Sequence, residues 1–158
     1  MLKLTGVVKN LLIINVIVFV FTKFIFPNLL GVLALYYPHS ESPFQPFQII
    51  THFFAHANLG HIFFNMFGLV MFGSAVESLW GAKKFLIYYI VCALGAAGTQ
   101  LFMMYTGVES IYGSMVGASG AIYGLLVAFG MKFPNAELML IFLPIPIKAK
   151  YFIPGMIL

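Results

Sequence analysis

Long apolar segments separated by short polar ones dominate the chain. A helix needs about 20 apolar residues to cross the hydrocarbon of a bilayer. Four segments come close to this length, and we predict a membrane-spanning helix for each of them: about Leu11–Phe26, Leu59–Leu79, Phe85–Tyr105 and Met115–Phe133. A shorter apolar segment, Tyr151–Leu158, would cover only about 12 Å at 1.5 Å per residue. It therefore predicts the start of a fifth span, and we expect its continuation to lie outside this sequence.

The segments between these helices differ in character. Residues 27–50 contain Pro27, Pro38, Pro43 and Pro46, with polar residues among aromatic ones. This mixture predicts a loop that lies in the membrane interface rather than a free linker. Residues 106–114 are polar and contain glycine, which predicts a turn.

The lysines predict the orientation of the helices. If the N-terminus is cytoplasmic, one lysine, Lys23, falls near the outer end of a span, and all the others fall on the inner side: Lys3, Lys9, Lys83, Lys84, Lys132, Lys148 and Lys150. This distribution agrees with the excess of positive charge in cytoplasmic loops. It places residues 27–50, the 106–114 turn and the start of the fourth span at the outer face.

Composition narrows the class of protein. Of the residues of this chain, 62% are hydrophobic and 8% are charged. Soluble domains average about 45–50% apolar residues and about 25% charged residues. We therefore expect an integral membrane protein with one membrane domain over residues 1–158, incomplete at its C-terminal end. No polar segment combines basic with aromatic residues, which argues against nucleic-acid binding. The single Cys92 excludes an intramolecular disulfide.

Two polar clusters interrupt the apolar sequence. The stretch Gly117-Ala118-Ser119-Gly120 sets one serine among small residues at the start of the fourth predicted span. The second cluster begins before the second span and continues into it: His52, His56, His61 and Asn65. Polar side chains inside a membrane are costly and usually functional.

Three interpretations of the histidine cluster compete. The first is packing, because a histidine on an apolar face is usually a satisfied structural residue. The second is a metal or haem site, since histidines four residues apart can chelate a metal. No carboxylate or cysteine lies near the cluster in the sequence, which weakens that interpretation. The third is a hydrolase site, in which His61 and Asn65 share one helix face and donate hydrogen bonds to an oxyanion near Ser119.

Small residues recur along the fourth span. Gly113 and Gly117, and again Gly120 and Gly124, are four residues apart. Such pairs let membrane helices approach closely. We therefore expect close neighbours for this helix, one of them at the small residues 95–98 of the third span.

These motifs resemble those of rhomboid intramembrane serine proteases. The stretch 117–120 followed by Tyr123 is similar to the nucleophile motif of that family, and His56, His61 and Asn65 are spaced as in its second-helix signature. A long interfacial loop after the first span and the Pro- and Lys-containing segment 144–150 fit the same family. The resemblance covers about residues 10–158. It implies an all-α, polytopic transmembrane helix bundle with four complete spans and the start of a fifth.

The resemblance also implies a role for each site residue. Ser119 would be the nucleophile, and Asn65, His61 and the Ser119 backbone N–H would form the oxyanion hole. The remaining residues would support the site: Gly117, Ala118, Gly120, Tyr123, His56 and His52. Where the family usually has a Trp-Arg pair in the first loop, this chain has Phe47-Gln48. The family's general base is a histidine on a sixth helix, and this chain has no histidine after His61.

The function implied is an intramembrane serine endopeptidase that cleaves membrane-anchored proteins through a Ser-His dyad. The alternative is a rhomboid-like pseudoprotease that binds membrane clients without cleaving them, and a small transporter or metal-binding bundle is a further rival. The 158 residues alone are expected to be inactive for want of the base. We expect no cofactor and no metal. The predicted partners are transmembrane substrates and the lipid bilayer, and the predicted location is a bacterial inner membrane.

Overall fold

The computed structural model describes residues 4–39, 41–140, 143–151 and 153. The described chain is mostly helical, and its elements in chain order are α1 (Gly6–Val20), α2 (Leu29–Leu33), β1 (Leu35–Tyr36), α3 (Gln48–Thr51), α4 (Leu59–Gly68), α5 (Ser74–Trp80), α6 (Ala82–Tyr105), β2 (Ser114–Met115), α7 (Ser119–Lys132), β3 (Glu137–Leu140) and β4 (Leu143–Lys148). The turn Phe21–Ile25 extends α1 as π-helix, and Leu69–Gly73 joins α4 to α5 in the same way. A 3₁₀ turn, His52–Phe54, follows α3.

Three of the continuous helices are long enough and apolar enough to cross a membrane. They cover Gly6–Ile25, Leu59–Trp80 and Ala82–Tyr105, with 20, 22 and 24 residues. The prediction of a helical membrane bundle is thereby confirmed. The first span begins five residues before the predicted Leu11, because Gly6–Asn10 continue the same helix.

The fourth helix is shorter than the sequence predicts. Helix α7 has 14 residues and spans about 21 Å at 1.5 Å per residue, less than the hydrocarbon thickness of about 30 Å. The predicted start at Met115 is wrong, because Ser114 and Met115 pair with Tyr36 and Leu35 in an antiparallel two-stranded sheet. The helix therefore starts only at Ser119, and the described residues contain three long spans and one short apolar helix.

Helices α6 and α7 pack closely and antiparallel. A Cβ atom added to Gly120 would clash with Ala96, and one added to Gly124 would clash with Cys92. The Tyr88 hydroxyl also donates a hydrogen bond to the Gly124 carbonyl oxygen, 2.8 Å away. The expected contact between the small residues of the third and fourth spans is present at Ala96.

The core lies where α1, the second span and α7 meet. Val8, Leu69 and Leu125 are completely buried there. Gly73 lets them approach, since a Cβ at that position would lie 3.1 Å from Val8 Cγ2 and 3.4 Å from Leu125 Cδ1. Apolar burial of this kind positions the start of α7 against the second span.

A buried carboxylate joins the start of α1 to the end of the second span. Glu77 accepts hydrogen bonds from the Thr5 hydroxyl and from the backbone N–H groups of Val7 and Val8, the latter two at 3.0 Å. The first N–H groups of a helix have no partner within the helix, so a carboxylate there satisfies them and complements the helix dipole.

Most lysines of the described helices lie at one end of the bundle. The start of α1 is held beside Glu77, and α6 begins directly after α5 ends. Because α7 runs antiparallel to α6, its last residue lies at this end too. Four lysines share this end, which the sequence assigns to the cytoplasm: Lys9, Lys83, Lys84 and Lys132.

A second hairpin follows α7. Strands β3 and β4 pair antiparallel, with Glu137 opposite Lys148. After the hairpin, Ala149 and Ile153 are buried against Leu126. The remaining residues of the predicted fifth span, residue 152 and residues 154–158, lie outside the described residues.

Candidate active site

The first loop is organised around a buried glutamine. Gln48 is 1% exposed, and its Nε2 donates hydrogen bonds to the carbonyl oxygens of Val32 and Pro43, at 3.1 and 3.2 Å. Its Oε1 accepts from the Gln45 backbone N–H at 3.0 Å. The neighbouring Phe47 is about half exposed. Of the two residues that the resemblance matches to a Trp-Arg pair, Gln48 thus holds the loop and Phe47 faces outward.

His52 connects this loop to the segment before α7. Its Nδ1 lies 2.8 Å from the Gln48 carbonyl oxygen, and its own carbonyl oxygen accepts the Gly117 backbone N–H at 2.8 Å. Together with the pairing of β1 and β2, this hydrogen bond fixes the chain that leads to Ser119.

Gly117 lies directly against the second span. Its φ of +107° is in the region that favours glycine. A Cβ atom at this position would lie 2.5 Å from both Cε1 and Nε2 of His61 and 3.5 Å from Nδ2 of Asn65. The structure therefore brings Gly117, His61 and Asn65 together, although the sequence places Gly117 far from the other two.

The start of α4 positions His61 and Asn65. Asn58 caps this helix, because its Oδ1 accepts the His61 backbone N–H at 2.8 Å. Asn65 follows one turn later and is buried, while His61 is half-buried. The Nδ2 of Asn65 has no hydrogen-bond partner within the described structure. A buried donor without an acceptor is costly, and this one lies beside the glycine that precedes Ser119 by two residues.

His56 packs against His61. The two rings meet edge to face, with 5.1 Å between their centroids. The His56 Nδ1 lies 3.3 Å from the Phe54 carbonyl oxygen, and its Nε2 is buried without a partner among the described residues. Burial, helped by the nearby charge of His61, lowers the pKa of His56 to about 4. Burial also lowers the pKa of His52, so both imidazoles are neutral at pH 7.

Ser119 is the first residue of α7 and is half-buried. The backbone N–H groups of a first helical turn have no intrahelical acceptor, so they are available to an anion formed near the serine. Ala118, before it, is fully buried, and Gly120, after it, faces Ala96 of α6. Tyr123, one turn further along, is 46% exposed.

Sequence reasoning missed two of the residues that build this site. Asn58 stands immediately before an apolar run, which is a helix-start signal that could have been found. The bonds made by Gln48 join residues distant along the chain, and nothing in the sequence pattern marks them. The described residues contain no group of three or more His, Cys, Asp or Glu side chains that could hold a metal ion.

Comparison with known proteins gives the family. The Rhomboid domain matches residues 43–158. The human "Presenilin-associated rhomboid-like protein, mitochondrial" is 32% identical over 142 residues, which is 87% of this chain and 35% of that protein. The Saccharomyces cerevisiae "Rhomboid protein 1, mitochondrial" is 32% identical over 99 residues, 63% of this chain and 29% of that protein.

The chain spans about a third of the length of these curated relatives. Their names place them in mitochondria, so they lend no support to the expected bacterial inner membrane. Apolar helices of spanning length and the matching domain identify an integral membrane protein. With the domain matching most of its length, this chain belongs to the rhomboid family.

Proposed function

We propose that this chain is the Ser119-bearing part of an intramembrane serine endopeptidase, a single membrane domain over residues 1–158 that is completed by sequence outside this chain. The observation that carries the proposal is the unpartnered Nδ2 of buried Asn65 beside Gly117. A donor kept without an acceptor, close to a serine at a helix start, is what an oxyanion hole requires before its substrate arrives.

The chemistry proposed is acyl transfer. The Ser119 Oγ attacks the carbonyl carbon of a peptide bond, and its proton passes to a base. Negative charge develops on the carbonyl oxygen, where the Asn65 amide, His61 and the Ser119 backbone N–H stabilise it. The leaving amine then takes up a proton, and water hydrolyses the acyl-serine.

We propose that the general base lies outside these residues. Burial lowers the pKa of His52 and lowers that of His56 to about 4, which makes both imidazoles weak bases. His61 lies against Gly117, where it is proposed to bind the oxyanion. We assign these three histidines to support and oxyanion binding, in keeping with the family resemblance. A histidine on a later helix then completes the dyad.

Substrates would be membrane-anchored proteins that reach Ser119 from the bilayer, with water entering from the outer face. The backbone groups of a substrate helix are hydrogen-bonded to one another, so the substrate helix must unwind before Ser119 can attack it. A bacterial inner membrane stays a prediction from the sequence alone, to be checked by fractionation of cells that express the protein.

The test is cleavage of a fluorogenic transmembrane substrate by the full-length protein. Ser119→Ala should lower the rate by about 10³-fold or more, and Asn65→Ala by about 10²–10³-fold. Ser114→Ala, the same change at an exposed serine of β2, is the control and should retain activity. Cleavage that survives Ser119→Ala would refute the nucleophile.

The same assay separates the alternatives. If the full-length protein binds membrane clients but never cleaves them, the pseudoprotease alternative is correct. The 158 residues alone should not cleave. Cleavage by them that depends on Ser119 would instead place the base among His52, His56 and His61.

A further inference from the structure

An open groove of about 500 Å³ lies at the end of the bundle opposite Ser119. It is lined by Trp80, Lys84, Ile87, Tyr88 and Val91. The groove belongs to neither the serine nor the histidine cluster, and its residues have no part in the proposed cleavage.

The aromatic wall of the groove is held in place by contacts within the protein. The Trp80 and Tyr88 rings meet edge to face at 5.0 Å between centroids. The Tyr88 hydroxyl is already engaged by the Gly124 carbonyl oxygen at 2.8 Å. The wall therefore keeps its shape and offers a ligand apolar surface rather than a free hydroxyl.

The two ends of the groove differ in polarity. The exposed Lys84 lines its mouth, while Ile87 and Val91, further along α6, are 53% and 59% exposed and apolar. Glu77 lies on the preceding helix, but its carboxylate accepts three hydrogen bonds from the start of α1. The charge at the mouth is thus positive, and the floor is apolar.

We propose that this groove holds one anionic glycerophospholipid. Its phosphate lies against Lys84, and an acyl chain follows Trp80, Ile87 and Val91. Basic pockets at the cytoplasmic side of membrane helices bind anionic head groups, and tryptophan favours the same depth in the membrane. A second copy of this chain is a poorer occupant, because it would bring its own lysines to the same place in a chain of net charge +4.

Trp80 is itself the reporter for a test, since it is the single tryptophan of the chain. The full-length protein, with any tryptophan outside residues 1–158 replaced by phenylalanine, is reconstituted in phosphatidylcholine vesicles that contain a small, equal fraction of either dibrominated phosphatidylglycerol or dibrominated phosphatidylcholine. Bromine quenches indole fluorescence on contact. The ratio of quenching by the two lipids measures how strongly the groove selects an anionic head group.

We expect the anionic lipid to be preferred by about fivefold, the contribution of about one lysine at a membrane surface. Lys84→Gln should bring the ratio close to one, and Lys84→Arg should keep it. Lys132→Gln is the matched control, because it removes the same charge at the same end of the bundle but outside the groove; it should leave the preference intact.

Three results would overturn the proposal. Equal quenching of the unaltered protein by both lipids would show no selection for charge. An equal loss of preference in Lys132→Gln and Lys84→Gln would show a diffuse surface field instead of a site. An absence of quenching by either lipid would show that another occupant, such as a second copy, covers the groove.

Discussion

At the scale of single residues, Gly117 joins the two halves of the candidate site. It combines a positive φ with close approach to His61 and Asn65. A methyl group added at this position would therefore cause both backbone strain and a steric clash. The Gly117 backbone N–H also donates a hydrogen bond to the His52 carbonyl oxygen, which leaves the loop little freedom to move away from these two side chains.

Gly117→Ala should therefore lower the cleavage rate of the full-length protein by about 10²-fold, because a misplacement of about 1 Å at a reacting centre has an effect of that size. It should also destabilise the fold by about 1–3 kcal/mol. The rate and the free energy of unfolding in detergent micelles are the two measurements.

Gly107→Ala is the matched control for this substitution. Gly107 also has a positive φ, of +75°, but a Cβ there meets nothing within 4 Å. Gly107→Ala should therefore lower the free energy of unfolding through backbone strain but leave the cleavage rate unchanged. Equal rates in the two variants would mean that contact with His61 is irrelevant to catalysis.

At the scale of elements, Glu77 holds α1 against the second span. Glutamine in its place has one carbonyl oxygen and an amide that cannot accept, so part of the three-bond arrangement with Thr5, Val7 and Val8 must be lost. Glu77→Gln should lower the free energy of unfolding by about 1–3 kcal/mol, as measured by denaturant titration in micelles.

Glu109→Gln makes the same chemical change at an exposed residue of the 106–114 turn. It should alter stability by no more than about 0.5 kcal/mol. Equal stabilities of the Glu77→Gln variant and the unaltered protein would contradict the role of the carboxylate as a cross-helix cap.

Some of the secondary-structure elements could be predicted from the sequence, and others could not. The second and third spans follow from apolar length, and the importance of the serine at position 119 follows from the motif resemblance. The start of α7 could not be found this way, because it depends on Leu35 and Tyr36, which pair with Met115 and Ser114 from a distant part of the chain. The β3–β4 hairpin was missed because its apolar residues show no strand alternation that separates them from a broken helix.

The candidate site, too, was predictable only in part from the sequence. Spacing along one helix placed His61 and Asn65 on one face. Their contact with Gly117 depends on how α4 packs against the loop before α7, and so on long-range backbone bonds that no local pattern records.

At the scale of the whole molecule, the buried histidines make stability depend on pH. The pKa of His56 is lowered from 6.5 to about 4 in the folded protein, so between these values the unfolded chain binds a proton that the folded one does not. Stability is therefore complete above about pH 6.5 and falls as the pH decreases toward 4, by up to about 3 kcal/mol from this residue. Burial shifts His52 in the same direction.

The midpoint of thermal unfolding in micelles, measured from pH 8 to pH 4, should decrease below pH 6.5. His56→Gln should flatten this decrease, since the variant has no proton to take up at that position. A variant with the same pH dependence as the unaltered protein would show that His56 does not titrate in this way.

The brevity of α7 has a consequence for how the molecule fills the membrane. Its 14 residues leave about 9 Å of hydrocarbon depth without helix. The peptide groups that occupy this depth cannot bond to a preceding helical turn. They bond instead to Leu35, Tyr36 and the His52 carbonyl oxygen. The first loop thus replaces the missing turns of the fourth helix, and the part of that span nearest Ser119 is assembled from three separate pieces of sequence.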